Sequence, residues 1–398
     1  MTSLRERLVE TIRRQGPIPF DEYVEAALYD PAEGFFTRGR GAGRSGGDFL
    51  TSPEVGSLFG ALVARALDGW WAALGEPDPY LVVEAGAGNG RLARDVLRAS
   101  PRCAPALRLV LVERSARLRE QQRGALETEP AEDALGPAAR GAPGEPPEPV
   151  TRKGPIVTSL DELPAVAVEG VVFANELLDN LPFRVVERTG DGWAEIRVGV
   201  DGRDTFVGVA VPVPPDVERD LAELDVSHTL EPGTRVPLQT GVTAWFAACG
   251  TMLRRGFLVV VDYADDLATL AARGEDGWLR TYRGHGRGAS PLADPGADDV
   301  TCDVVVEQVH AAARRAGFRP VAETTQAEWL DDVGVDAFVR AARGRWDAGR
   351  SRGDLDALAA RSIVTEAAAL RDPGGLGAHR VFVFAKGRVP DTARTDGR

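Results

Sequence analysis

A glycine-rich loop is the first feature of the sequence that could do chemistry. The stretch Val82–Leu92 follows an apolar, strand-like run and leads into a helical pattern. Glycines let the backbone turn sharply and let a cofactor lie against bare main chain. Gly86, Gly88 and Gly90 give the spacing G-x-G-x-G, whereas a dinucleotide loop places its third glycine where Arg91 stands. The spacing disfavours a nicotinamide-dependent dehydrogenase and is typical of S-adenosylmethionine-binding loops.

Two carboxylates flank this loop. Glu84 lies two residues before the first glycine, where it can approach the cationic amino-acid end of such a cofactor. Glu113 ends the next apolar strand, at the spacing at which a carboxylate receives two ribose hydroxyls. The alternative is a tight strand–helix turn with unrelated surface acids. The residues predicted to bind the cofactor are Glu84, Gly86, Gly88, Gly90, Glu113, Ser115, Ser159, Leu160 and Asn175.

A second group of polar residues follows the apolar strand Gly170–Ala174. Asn175, Glu176 and Asp179 are expected at the carboxyl edge of a parallel sheet, where ligands bind in such folds. The two acids can orient an acceptor and take up a proton, or the segment simply begins a capped helix. Asp48 is predicted to lie over the cofactor, with a turn acid as the alternative. The predicted catalytic residues are therefore Glu176, Asp179 and Asp48.

The elements that must position these residues alternate between strand-like and helical patterns, which indicates parallel βαβ units. The apolar runs predict strands at Tyr80–Glu84, Leu107–Glu113, Gly170–Ala174, Phe257–Asp262, Phe318–Glu323 and His379–Lys386. One helix is predicted from Glu54 to Leu74, further helices at 327–343 and 354–371, and Gly256 is expected just after the end of another. The predicted fold class is α/β, a Rossmann-like doubly wound sheet of the class I methyltransferase type with a helical N-terminal segment.

Two regions interrupt that pattern. Residues 183–213 alternate around a turn and predict an inserted β-hairpin, whereas residues 124–154 have almost no large apolar side chains and predict a flexible insert. The basic segment 280–288 is predicted to be a loop. The predicted organisation is a helical N-terminal segment with a flap (1–75), a cofactor-binding core (76–182), a β-rich substrate region (183–237), the second part of the core (238–387) and a loose tail (388–398).

Composition limits the partners and the location. The chain has 398 residues and a formal net charge of −13, which argues against nucleic acid or an anionic membrane as a partner. Three cysteines far apart form no disulfide framework and four histidines show no metal-binding spacing. No apolar run reaches the length of a membrane span. The sequence therefore predicts a cytoplasmic protein without a metal.

Ordered blocks along nearly the whole chain resemble one known family. They include the stretch Gly47–Glu54, which reads GDFLTSPE, the loop Glu84–Leu92, the acid-ended strand around Glu113 with Leu118 and Gln121 after it, and the stretch Asn175–Pro182, which reads NELLDNLP. On these residues the chain is identified as a member of the MidA-like methyltransferases, a family that includes a protein-arginine methyltransferase of respiratory complex I assembly.

The resemblance implies an enzyme that uses S-adenosyl-L-methionine to methylate an arginine side chain of a partner protein. An acceptor that is a small molecule, and a non-catalytic assembly chaperone that keeps cofactor binding, remain the alternatives. The expected partner is thus an acceptor protein or small molecule, and the sequence leaves open whether the chain forms a homodimer.

Overall fold

A computed structural model describes residues 2–38, 51–136, 152–223, 230–283, 286–349 and 355–389. In these stretches the strands are β1 (Tyr80–Ala85), β2 (Leu107–Val112), β3 (Ile156–Leu160), β4 (Val168–Asn175), β5 (Arg184–Arg188), β6 (Trp193–Val200), β7 (Phe206–Pro212), β8 (Arg235–Leu238), β9 (Leu253–Asp262), β10 (Ala264–Asp265), β11 (Leu279–Arg283), β12 (Gly286–Arg287), β13 (Asp299–Cys302), β14 (Val304–Val305), β15 (Arg319–Thr325) and β16 (Arg380–Lys386).

The helices of the described stretches are α1 (Leu4–Gln15), α2 (Phe20–Tyr29), α3 (Ser52–Val55), α4 (Leu58–Ala73), α5 (Arg91–Arg98), α6 (Ala116–Ala125), α7 (Ala131–Leu135), α8 (Pro215–Glu223), α9 (Thr240–Met252), α10 (Leu267–Arg273), α11 (Glu275–Trp278), α12 (Val306–Arg315), α13 (Gln326–Val333), α14 (Val335–Gly349) and α15 (Leu355–Leu370). Leu178–Asn180 and Leu376–Ala378 are single turns of 3₁₀ helix. None of the helices described combines the length and hydrophobicity that crossing a bilayer requires.

The chain divides into two compact units, counting the described residues within each range. The first unit consists of Met1–Phe49, Leu177–Ala248 and Tyr263–Ala316, and the second of Leu50–Glu176, Cys249–Asp262 and Gly317–Arg398. Each unit has its own hydrophobic core. The predicted organisation divided the cofactor-binding core into two parts, 76–182 and 238–387. In the structure each unit draws on three stretches of chain, and residues 51–75 lie in the second unit.

A seven-stranded sheet forms the centre of the second unit. Its strand order is β15-β16-β9-β4-β1-β2-β3, and the five strands from β9 to β3 run parallel. β16 and β15 continue the sheet in the antiparallel sense. The inner strands are buried along most of their length, as expected for a sheet covered on both faces. This sheet agrees with the doubly wound α/β prediction.

The register of the parallel strands brings their carboxyl ends into line. Ala85 of β1 pairs with Val112 of β2 and with Ala174 of β4, and Val112 pairs in turn with Leu160 of β3. The residues that follow these strands therefore emerge together at one edge of the sheet. We call this edge, with the loop that follows β1, the glycine edge.

The first unit is richer in antiparallel structure. Its main sheet has the order β7-β6-β5-β8, with β5 and β6 paired as an antiparallel hairpin. This confirms the hairpin predicted within residues 183–213. A three-stranded sheet, β12-β11-β13, and the parallel pair β10–β14 complete the strands of this unit. The basic segment predicted as a loop thus contains strand residues, although residues 284 and 285 lie outside the described part of the chain.

Two glycines explain why two helices differ from the prediction. Gly256 does not follow a helix: it lies within β9 opposite Gly170, and a Cβ there would come within 1.8 Å of the Gly170 oxygen. Close approach of two strands therefore accounts for this glycine. Gly56 divides the helix predicted from Glu54 to Leu74 into α3 and α4, because the Glu366 carboxylate fills the place of its side chain and accepts a hydrogen bond from the Leu58 N–H at 2.9 Å.

The structure also contains a strand and a short helix that the sequence pattern did not predict. β3 was not among the predicted strands, although Ser159 and Leu160 at its end were named as site residues. The flexible insert predicted at 124–154 contains the short helix α7, whose Ala134 and Leu135 are buried, and its residues 137–151 lie outside the described chain. Asp48, its flap neighbours up to Leu50 and the tail from residue 390 lie outside it too.

Candidate active site

The loop after β1 has a backbone conformation that requires its glycines. Gly86, Gly88 and Gly90 have φ angles of 70°, 53° and 80°, in the left-handed region that side chains with a Cβ rarely adopt. The N–H groups of Gly86 and Ala87 both donate to the carbonyl of Val112, at 2.9 and 3.0 Å, which ties the loop to the end of β2. The loop is thus fixed against the neighbouring strand.

Glu113 lies beside this loop, directly after β2. Its Oε2 accepts a hydrogen bond from the Gly88 N–H at 3.0 Å, and its Oε1 accepts one from the Ser115 N–H at 2.8 Å. Burial raises the pKa of Glu113, while these two backbone N–H groups act to lower it. The carboxylate is therefore oriented from both sides and keeps lone pairs for a bound hydroxyl.

Glu84, the other predicted acid, is the penultimate residue of β1 and is 7% exposed. Burial raises its pKa to about 8. A cation near this carboxyl group would lower its pKa and favour the ionised form.

The end of β3 also joins the glycine edge, through a residue that the sequence reasoning missed. The Leu160 carbonyl accepts a hydrogen bond from the Glu113 N–H at 3.0 Å, and the Ser159 hydroxyl donates to Gln122 Oε1 at 2.5 Å. Gln122 is buried, whereas Gln121, named in the family resemblance, is exposed. The available signal was the four-residue spacing from Leu118, which places Gln122 on the same buried helix face.

Asn175 ends β4, and Glu176 follows it at the same edge. The Asn175 Nδ2 donates to Glu176 Oε1 at 3.1 Å, and Asn175 Oδ1 is a buried acceptor without a hydrogen-bond partner among the described residues. Glu176 has a φ of 50°, a strained conformation for a residue with a side chain, and its N–H donates to the Val261 carbonyl at 2.8 Å. Strain of this kind is concentrated at functional sites.

The described part of the GDFLTSPE stretch packs against these residues. The Ser52 N–H donates to Glu176 Oε1 at 3.1 Å, and the Ser52 hydroxyl donates to Gln326 Oε1 at 2.9 Å. Glu54 is 4% exposed and pairs with Arg91, the first residue of α5, at 3.2 Å. This short segment therefore packs against the glycine edge.

Asp179 lies in the first unit, in a group that we call the acid cluster: Asp179, Arg273, Arg280 and Asp303. Asp179 is 5% exposed and its Oδ1 has no hydrogen-bond partner among the described residues. Asp303 pairs with Arg280 and, at 3.1 Å, with Arg273. Burial raises the pKa of Asp179 to about 7, with Arg280 lowering it and Asp303 raising it further.

Most of the predicted site residues thus lie at one edge of one sheet. The glycine edge brings together Glu84, Gly86, Gly88, Gly90, Glu113, Ser115, Ser159, Leu160, Asn175 and Glu176. Asp179 belongs to the other unit, and Asp48 lies outside the described residues. Within the described chain, no three His, Cys, Asp or Glu side chains are grouped so that they could hold a metal ion.

The glycine edge has the features that an adenosyl cofactor needs. A Cβ added at Gly88 would find no described atom within 4 Å, so the main chain borders open space there. The Glu113 carboxylate can receive hydroxyl groups, and the free Asn175 Oδ1 can accept a hydrogen bond from a donor group. Uncharged glycine main chain beside carboxylates suits a cationic ligand better than a pyrophosphate.

Comparison with known proteins agrees with this chemistry. The model of a family described as S-adenosyl-L-methionine-dependent methyltransferases matches residues 62–324. The chain belongs to this family. The MidA-like resemblance is confirmed, and the protein is an enzyme that uses S-adenosylmethionine as its methyl donor.

Individual relatives cover most of the methyltransferase. Protein arginine methyltransferase NDUFAF7, mitochondrial, of Bos taurus is 29% identical over 85% of this chain and 75% of its own. The protein of the same name from Homo sapiens is also 29% identical, over the same shares. The predicted cytoplasmic location is contradicted, because both of these relatives are mitochondrial proteins.

A solved structure matches the fold over almost its full length. It is a protein from Burkholderia thailandensis bound to S-adenosyl-homocysteine, 28% identical, with a TM-score of 0.76, and the match covers 98% of this chain and 94% of that one. A second structure from the same organism, without that ligand in its description, gives a TM-score of 0.75. The methyltransferase therefore has the class I methyltransferase fold that was predicted.

Proposed function

We propose that this methyltransferase transfers a methyl group from S-adenosylmethionine to an arginine side chain of a partner protein. The observation that carries the choice of acceptor is the set of relatives named as protein arginine methyltransferases, which match 85% of the chain. The fold and the glycine edge support methyl transfer in general and leave the acceptor to this comparison.

The glycine edge would hold the methyl donor. Gly86, Gly88 and Gly90 supply bare main chain, with Ser115, Ser159, Leu160 and Asn175 around it. The Glu113 carboxylate would accept two ribose hydroxyl groups, and Glu84 would lie near the cationic amino group. S-Adenosylmethionine, when bound, supplies an electrophilic methyl group on its sulfonium. The chain mostly has to align the acceptor and exclude water.

The acceptor side would depend on carboxylates. An arginine guanidinium is always charged at neutral pH and matches carboxylates through paired N–H donors. Its attacking nitrogen must lose a proton when it gains a methyl group, so a carboxylate that titrates near neutral pH suits the role of acceptor for that proton. Glu176, Asp179 and Asp48 are the candidates, and the pKa of about 7 makes Asp179 the strongest of them as a base.

The test is a labelling experiment that reads out the acceptor. The purified enzyme is incubated with cell lysate and a donor that carries a deuterated methyl group, and mass spectrometry locates the label. We expect the label on arginine residues of protein, and none with the Gly88→Val variant. Label confined to metabolites would show a small-molecule acceptor. Donor binding without any label would show a non-catalytic protein that retains the cofactor.

A further inference from the structure

Gln122 is a buried polar residue that has no role in the proposed transfer reaction. It lies in α6, the helix that follows Glu113, and its side chain is fully buried. Its Nε2 donates a hydrogen bond to the carbonyl oxygen of Gly88 at 2.7 Å, and its Oε1 accepts one from the Ser159 hydroxyl at 2.5 Å. One amide thus joins the glycine loop to the end of β3.

The direction of these two hydrogen bonds is fixed by chemistry. A backbone carbonyl can only accept, so the end of the amide that faces Gly88 must be the NH₂ group. The amide oxygen then faces Ser159, whose hydroxyl must give it its only proton. The Ser159 oxygen is left with lone pairs alone for any other partner.

Gln122 and Glu113 together hold both ends of the Gly88 residue. Glu113 Oε2 accepts from the Gly88 N–H at 3.0 Å, while Gln122 Nε2 donates to the Gly88 carbonyl. This is the left-handed residue beside which the main chain borders open space. The stem of Gln122 also closes over Gly90, where an added Cβ would lie 3.2 Å from Gln122 Cγ. The loop therefore has its shape set from α6.

We propose that Gln122 is a positioning residue for the methyl donor: it holds the Gly88 peptide and the Ser159 hydroxyl in the arrangement that receives the adenosyl group. The inference rests on the assignment of the glycine edge as the donor site, but not on the identity of the acceptor. A loop fixed before binding loses less conformational freedom when the ligand arrives, so the effect is expected in affinity rather than in chemistry.

The test compares two neighbouring glutamines. Gln122→Met keeps a side chain of similar length and removes both hydrogen bonds, whereas Gln121→Met changes the exposed neighbour on the same helix. Calorimetry with S-adenosylhomocysteine should give a Kd about tenfold higher for Gln122→Met, the size expected for the loss of two buried hydrogen bonds in an otherwise retained site. Gln121→Met should bind as the wild type does.

Kinetics separates positioning from a general structural role. For Gln122→Met the KM for the donor should rise, while kcat at saturating donor and the KM for the acceptor stay within about twofold of the wild type. An unchanged Kd overturns the proposal. So does an equal loss of kcat at saturating donor, because that would show damage to the whole site. If Gly88→Val abolishes binding and Gln122→Met does not weaken it, the glycine edge is supported as the donor site and only the positioning role of Gln122 is contradicted.

A second variant keeps the test decisive if Gln122→Met fails to fold. Gln122→Glu retains the oxygen that faces Ser159, but its ionised carboxylate cannot donate to the Gly88 carbonyl. Protonation restores a donor. We therefore expect the ratio of the variant's Kd to the wild-type Kd, both measured at the same pH, to be lower at pH 6 than at pH 8. Dividing by the wild-type Kd removes the pH dependence that Glu84 and Glu113 contribute to both proteins. A ratio that is constant with pH would contradict the proposal.

Discussion

The glycine edge and the acid cluster both bury carboxyl groups, and these groups differ in their charged neighbours. At the glycine edge, Glu113 accepts hydrogen bonds from two backbone N–H groups, which act to keep it ionised against the effect of burial. In the acid cluster, burial raises the pKa of Asp179 to about 7, with Arg280 lowering it and the second buried acid, Asp303, raising it further. The two backbone N–H groups orient Glu113 as a binding group, whereas Asp179, buried near a second acid, can exchange a proton near neutral pH.

Under the proposed function, donor binding belongs to the glycine edge and proton exchange to Asp179, and variants can separate the two. The largest effect is expected at the glycine edge. Gly88→Val places a β-branched side chain at a φ of 53° and fills the open space beside the loop. We expect binding of S-adenosylhomocysteine in calorimetry to fall by about a thousandfold or more, and transfer to fall with it.

A matched control separates strain from lost space. Gly75 is also left-handed, with a φ of 87° and no described atom within 4 Å of an added Cβ, but it lies after α4, away from the loop. Gly75→Val should lower the melting temperature by an amount similar to Gly88→Val, yet leave the affinity unchanged. Equal affinities for all three proteins would remove the loop from the donor site.

The acid cluster should show the reverse pattern. Asp179→Asn removes the group that titrates near pH 7, so we expect donor affinity to stay within about twofold and kcat to fall roughly 100-fold, the usual contribution of a general base. In the wild type, kcat should rise with pH through about 7 as Asp179 ionises, and the variant should lose this dependence. Asp191→Asn, an exposed acid of the β5–β6 turn, is the control. Wild-type turnover in Asp179→Asn would exclude Asp179 from catalysis.

The same two regions show what a sequence can reveal. The glycine loop, its flanking acids and four of the five parallel strands, all except β3, could be predicted because each signal lies within a few consecutive residues. The acid cluster could not be predicted, because its four residues come from separate elements that only the tertiary fold joins. These residues are Asp179, Arg273, Arg280 and Asp303. Gly256 shows the same limit. The sequence around it predicts a helix end, whereas a glycine is needed there because the neighbouring strand lies so close.

Glu84 offers a test of intermediate size. The folded protein raises its pKa from 4.5 to about 8, so between these values the folded state keeps a proton that the unfolded chain has released. Stability must therefore fall as pH rises through this window. Glu84→Gln removes that part of the loss, and its melting temperature should exceed that of the wild type by more at pH 8 than at pH 5.

Donor affinity should depend on pH in the opposite direction to stability. If a cationic amino group lies near Glu84, it favours the ionised carboxylate, and S-adenosylhomocysteine should bind the wild type about tenfold more tightly at pH 8 than at pH 6. Glu84→Gln should bind with an affinity that depends much less on pH. Equal pH dependence in the two proteins would place the amino group elsewhere.

The smallest expected effect concerns the segment that packs on the glycine edge. Glu54 is buried and pairs with Arg91 at the start of α5, so Glu54→Gln leaves a half-buried guanidinium with Asp95, at 4.0 Å, as its remaining acid. We expect the affinity for S-adenosylhomocysteine to fall two- to threefold and the melting temperature to drop by a few degrees. Glu76→Gln breaks the exposed pair with Arg102 and should change neither. Equal effects of the two substitutions would mean that the Thr51–Glu54 segment does not support the loop, and that the donor site depends on β1 to β4 and α6 alone.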